Sequence, residues 1–420
     1  MNGMDRQLRD LLDAAVGEPP HRVSVEAVRR RVTRRRVMEC VAGGAAVAVI
    51  AVIVPAGIGA LGRGPGLSAG GSAVVPTVYV SDDGPGGTVT PITIATNTPG
   101  KPIKVGRHPG QIAITPDGRT AYVADPGSTA VIPIATATNT PGKPIKVGPN
   151  PARFATRGIF IAITPDGKTA YVANVPSGTV TPITSATNTA GKPIKVGRAP
   201  DFIAITPDGK TAYVANLDSG TVAPITIATN TPGTPIKVGS GPVEIAITPD
   251  GKTAYVANQN SGTVTPITIA TNTPGTPINV GSVAAGIAIT PDGKTAYVAS
   301  EGSGTVTPIT IATNTAGKPI KVGRSPGQIA VTPDGKTAYV ANRRSSTVTP
   351  IATATNTARK PIKVGRGGPG PVEIAITPDG KTAYVLAVFP GTVTPIATAT
   401  DTPGKPINVG RIPGAIAITP

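Results

Sequence analysis

Histidine occurs only at His21 and His108 in the 420 residues, and cysteine only at Cys40. Two histidines so far apart exclude a His-rich metal site and leave no evident Ser-His-Asp triad. One cysteine excludes an intrachain disulfide framework, and no thiolate follows residue 40 to act as a nucleophile. No Gly-rich phosphate loop sits between a strand and a helix. The recurring carboxylates are Asp117, Asp166, Asp208, Asp250, Asp292, Asp334 and Asp379, each within TPDGK or TPDGR. Asp beside backbone oxygens suits calcium, but Asp-Gly is also a strong hairpin-turn signal, and a turn accounts for all seven. On these residues the chain is expected to be no enzyme and to hold no metal or cofactor.

The candidate binding residues are of another kind. One residue precedes each I-A-I or I-A-V segment: Gln111, Phe160, Phe202, Glu244, Gly286, Gln328, Glu373 and Ala415. Two Phe and two Glu fall in this series, an apolar patch beside a few polar groups, as a small binding site requires. Arg153, Arg157, Arg343, Arg344 and Phe389 stand in neighbouring variable segments. Together these residues are expected to surround a ligand site.

The elements that must position them follow from a repeat. Successive PDG aspartates lie 49, 42, 42, 42, 42 and 45 residues apart, and all eight tyrosines occupy one repeat position, each followed by Val. One unit, residues 202–242, reads FIAITPDGK-TAYVANLDSG-TVAPITIATNTPG-TPIKVGSGP. Four short β-branched runs divided by turn residues predict a four-stranded antiparallel meander, with strands a, b, c and d. Strand a, IAIT, is apolar throughout, as an innermost strand covered on both faces would be. Strand d, PIKV, carries the Pro and Lys of a protected edge. Such a unit repeated every 40–45 residues predicts the blades of an all-β propeller. The 52 Gly, 47 Pro and absent Trp agree with many tight turns.

PDGKTAYVAN, followed by ATNT and PIKVG, resembles the YVTN-family β-propeller repeat of bacterial and archaeal surface proteins. The resemblance runs over about residues 75–420 and implies a propeller fold and a secreted or surface location, with no particular activity. That family often has an acidic residue just before ATN, where this chain has Ile94, Thr136, Ser185, Ile227 or Ile311. No metal or substrate role is therefore carried over.

The array opens on a b-strand, Val74–Val80, and stops on an a-strand, Ile416–Pro420. Every blade is complete only if those ends share one, which predicts eight blades, with seven plus a spare repeat as the alternative. Antiparallel alternation sends the a–b and c–d turns, PDGK and NTPGK, to one end of each blade. The b–c and d–a turns, which hold nearly all the variation and the binding candidates, share the other end.

Ahead of the repeats, Cys40 to Leu61 is a run of 22 uncharged residues, long enough as a helix of roughly 33 Å to span a bilayer. Six arginines between Arg29 and Arg36 precede it, which orients the N-terminus inward. The expected organisation is a basic cytoplasmic stem (1–36), a transmembrane signal anchor (37–62), a Gly-rich linker (63–73) and an extracytoplasmic propeller (74–420). TRRRVM, residues 33–38, loosely resembles a twin-arginine export motif, so a cleaved signal is the alternative. The net charge is +17. An excess of base suits an anionic cell-wall polymer, an envelope protein or lipid headgroups, whereas no Arg-rich patch with interleaved aromatics points to nucleic acid. The expectation is a monomeric, membrane-anchored, non-catalytic binding scaffold. A structural envelope protein is the alternative, and a propeller lyase or hydrolase the third reading.

Overall fold

The computed structural model describes residues 75–84, 86–148, 159–365 and 370–420. The stem, the apolar stretch and Cys40 lie outside the described residues. Among the described residues no helix is long and apolar enough to cross a membrane.

The described strands form eight antiparallel sheets of one design, numbered here as blades 1 to 8. Blade 4 shows the design. Strand a (Pro200–Ile205) pairs with b (Thr211–Asn216), b pairs with c (Thr221–Thr226), and c pairs with an outer strand d. The outer strand is broken into Thr231–Pro232 and Ile236–Lys237, both paired with c. It thus begins earlier than PIKV, inside the NTPG segment. The break answers a question posed by Pro224 in the middle of strand c, since Pro has no N–H to give a ladder. Gly233 N donates to Pro224 O at 2.8 Å, so the bare nitrogen of Pro224 faces the gap in strand d. All eight blades repeat this contact.

The a-strands touch one another in sequence around a closed ring. Blade 1 takes its a-strand, Pro413–Ile418, from the C-terminus and its b-strand, Thr77–Asp82, from the start of the array. Val78 pairs with Ile418, Tyr79 with Ala417 and Val80 with Ile416. Thr77 N donates to Thr419 Oγ1 at 2.9 Å, and Thr419 N to Thr77 O at 3.0 Å. Thr211 N and Thr206 make the same bonds across a PDGK turn, so the two chain ends reproduce by hydrogen bonding what a covalent turn does elsewhere. The ring therefore has eight blades.

Each PDGK turn is self-contained. In blade 4, Asp208 Oδ1 accepts Thr206 Oγ1 at 2.6 Å and Lys210 N at 3.0 Å. The Thr206 hydroxyl, more than any other group, holds this carboxyl below the usual carboxylate range. Gly209 takes φ +68°, a region closed to most L side chains. Its carboxylate is occupied by the turn, as the sequence predicts.

The blades are stitched together by the tyrosines, all fully buried. Seven of the eight hydroxyls donate to the Asn in the c–d turn of the next blade, among them Tyr171 to Asn230, Tyr213 to Asn272, and Tyr384 to Asn97 across the closure, at 2.6–2.7 Å. Burial pushes the Tyr213 phenol up to about 12, which keeps it a donor. The accepting Asn residues sit at φ near +53°, where Asn is better tolerated than most residues. The YV and TN halves of the repeat are thus two sides of one inter-blade bond. In blade 8 the acceptor is Asp401, at 2.6 Å from Tyr339, and Arg359 of blade 7 pairs with it at 3.2 Å.

Candidate functional site

The residues preceding the I-A-I and I-A-V segments do recur once per blade at the inner strands, but they are buried rather than open to a channel. Gln111, Phe160, Phe202, Glu244, Gln328 and Glu373 are all less than a tenth exposed. Gln111 Oε1 accepts the N–H of Ile161 in the next blade, and Gln328 Oε1 that of Ile374. Glu373 Oε2 accepts Ile416 N at 2.9 Å, and Glu244 accepts Ile287 N. These four side chains clasp neighbouring a-strands. The rings of Phe160 and Phe202, 4.3 Å apart at 41°, join blades 3 and 4 through apolar contact. At Gly286 a Cβ would collide with the Gly327 carbonyl, so blade 7 approaches only because that side chain is missing. Burial pushes the Glu373 carboxyl up to about 8, and it raises Glu244 well above its ordinary value, with Glu373 adding to the effect.

The other candidates are scattered. Arg343 lies nearly buried with its guanidinium 3.9 Å from Glu301. Arg344 is exposed, and Phe389 is one of the two exposed large apolar side chains among the described residues. Arg153 and Arg157 lie outside the described residues.

A different constellation, in blades 1 and 2, carries chemistry. Asp83, in the b–c turn of blade 1, and His108, in the connection from blade 1 to blade 2, meet at Nδ1···Oδ1 2.8 Å. Both are about half exposed. Asp125 Oδ1 holds His108 N at 3.0 Å and Oδ2 holds Arg107 N at 3.2 Å, with Ser128 Oγ at 2.6 Å from Oδ2. Asp82 does the same for Arg411 N and Ile412 N, at 3.1 and 2.7 Å, and Asp83 N donates to Ile412 O at 2.9 Å. At Gly127 a Cβ would stand 2.6 Å from His108 Cδ2, so the absence of a side chain there makes room for the imidazole. Burial raises the Asp83 carboxyl above its ordinary value, while its bond to His108 works in the opposite direction. A neutral imidazole that donates Nδ1–H to Asp83 carries its lone pair on Nε2, the arrangement a general base requires. Among the described residues no three His, Cys, Asp or Glu side chains are arranged to hold a metal ion.

Reading histidine scarcity as an absence of acid–base chemistry missed this pair, because a dyad needs only one His. A signal was present. Strand b ends in Asn in four of the eight blades, at Asn174, Asn216, Asn258 and Asn342, and in Ser300 and Ala387 in two more, but in Asp82 and Asp125 in blades 1 and 2. The repeat position of His108 is held elsewhere by Ala199, Gly241, Val283, Ser325 or Ile412.

Comparison with known proteins bears on the same question. Residues 268–360 match the family model described as "Lactonase, 7-bladed beta-propeller", although this chain closes with eight blades. Hydrazine synthase of Kuenenia stuttgartiensis is similar at 26% identity, over 70% of this chain and 96% of its own, with TM-score 0.57. A putative 6-phosphogluconolactonase from Bacteroides fragilis is similar at 21% identity, over 70% and 97%, with TM-score 0.53. Dihydro-heme d1 dehydrogenase NirN shares 15% identity over 84% and 77%, with TM-score 0.68. Comparison with curated proteins returns no match. The lactonase match and the likeness to hydrazine synthase overturn the expectation of a non-catalytic scaffold.

Proposed function

We propose that the propeller is a hydrolase of the lactonase kind, opening a cyclic ester with water, and that His108 is its general base. The observation that carries this reading is the His108–Asp83 pair, whose geometry is that of a base held by an orienting carboxylate. In the reaction His108 Nε2 removes a proton from water as the water oxygen bonds to the lactone carbonyl carbon. The tetrahedral oxyanion then collapses, the ring C–O bond breaks, and the departing alkoxide takes the proton back from the imidazolium. The product is an open hydroxy acid. Asp83 fixes the tautomer and balances the transient positive charge, as a positioning residue. Arg107, exposed and next to His108 in the chain, is the cation at hand for the developing oxyanion.

The test is hydrolysis of a lactone panel by the full chain. His108→Ala should lower kcat/KM by roughly 10²–10⁴-fold, the usual contribution of a general base. Asp83→Asn should lower it less and displace the pH–rate profile, and neither should move the thermal melt. A wild-type protein that opens no lactone above the buffer rate, or a His108→Ala variant at full rate, would sink the proposal.

We further propose that the propeller is held at a membrane surface. In this proposal Cys40–Leu61 serves as a single span with the propeller outside, as the preceding arginines suggest, and the resemblance of the repeat to the YVTN kind of surface proteins supports it. Protease added to intact cells should then remove the propeller and spare residues 1–36, whereas a protected propeller would contradict this placement.

A further inference from the structure

The chain leaves the propeller at only one of its two ends. Strand b follows the PDGK turn in every other blade, so Thr77, which opens strand b of blade 1, lies at the PDGK end. Ile418 and Thr419, which end its strand a, lie there too. Residues 62–74, only 13 residues, separate this end from the apolar stretch Cys40–Leu61. Fully extended they reach at most about 45 Å.

That end is a ring of ammonium groups. Lys168, Lys210, Lys252, Lys294, Lys336 and Lys381 are 81–82% exposed. Each stands on a turn with the same internal bonds, which sets them at one height, and Arg119 fills the seventh PDG turn. The neighbouring Asp lies 3.5–3.8 Å from each ammonium and is itself 55% exposed. Exposed pairs of this kind are weak and leave the cation available to a partner. Six of the eight c–d turns add a second lysine to the same end, where the only acid besides the turn aspartates is Asp401, already paired with Arg359. Val75, 59% exposed, is the other uncovered large apolar residue among those described, and it adjoins this end.

We infer that the PDGK face rests on anionic lipid headgroups, which leaves the end bearing His108 and Asp83 turned toward the medium. A level ring of cations fits a planar anionic surface, the tether starts from that face, and the exposed Val75 adjoins it. Lysines close to such a surface are attracted one by one, and the attraction decays within a Debye length. The inference rests on the membrane anchorage proposed above.

The experiment is amine labelling of the full chain reconstituted in vesicles of neutral lipid alone or with about one third anionic lipid, read residue by residue by mass spectrometry. Lys168 and its five counterparts should label at least about fivefold more slowly on anionic vesicles, with protection lost near 1 M salt. Lys195 and Lys237, on outer strands, serve as the internal reference. Flotation with vesicles but equal labelling on neutral and anionic lipid overturns the inference while leaving the anchorage standing. Failure to float overturns both. Protection by soluble polyphosphate equal to that on vesicles overturns the headgroup assignment in favour of a polymer.

Discussion

Replacing Glu373 by Gln should make the protein more stable at pH 8 while leaving its stability at pH 5 nearly unchanged. Glu373 is almost wholly buried, and its carboxyl, ordinarily at 4.5, is pushed up to about 8 by loss of solvent. Below pH 4.5 the group is protonated whether the chain is folded or not, and it contributes nothing to pH dependence. Between 4.5 and 8 the unfolded chain releases the proton and the folded one keeps it, so folding becomes less favourable as pH rises. Above 8 both states are ionised and the loss stops growing. A displacement of this size, at about 1.4 kcal/mol per pH unit, amounts to as much as about 5 kcal/mol over the window. The amide should fit, because Gln328 already makes the equivalent bond, to Ile374 N, one blade earlier. Urea unfolding at pH 5, 6.5 and 8 is the assay. The wild-type midpoint should fall with pH, Glu373→Gln should flatten the fall, and adding Glu244→Gln should flatten it further. A wild-type midpoint constant from pH 5 to 8, or a slope undiminished in the double variant, would refute the burial argument.

Three further outcomes are expected. Tyr213→Phe removes the 2.6 Å bond to Asn272 and should cost about 1 kcal/mol in urea unfolding, whereas Tyr213→Ala, which also opens a cavity between blades, should cost about 3–5 kcal/mol. Gly127→Ala should displace the imidazole of His108 and lower lactone turnover at least about tenfold, with no change in the melt, since the atoms in the way belong to the side chains of His108 and Asp125 rather than to backbone. Arg359→Gly with Asp401→Asn restores the residues of the other blades, and a double-mutant cycle should give a coupling below about 1 kcal/mol that shrinks with salt, because Arg359 is 43% exposed.

Much of the architecture can be read from the chain alone because its causes are local. Asp-Gly turns, alternating Ile and Ala, and the Lys-bearing edge strand each act within a few residues, so forty of them specify a blade and the repetition specifies a propeller. Even closure is legible, since the ends are visibly the missing parts of one another. What tertiary structure alone decided lies between blades. Tyr213 and Asn272 are 59 residues apart, and nothing near either residue announces the other. Glu244 and Glu373 read as polar groups of a ligand site until the spacing of the a-strands leaves them no solvent and spends them on Ile287 and Ile416. Asp83 and His108 come from two different loops, and their 2.8 Å contact exists only because sheet packing brings those loops together. Turns and strands are set by short-range sterics that every residue carries with it. Burial and side-chain pairing are set by the distance between sheets, which has no period in the sequence.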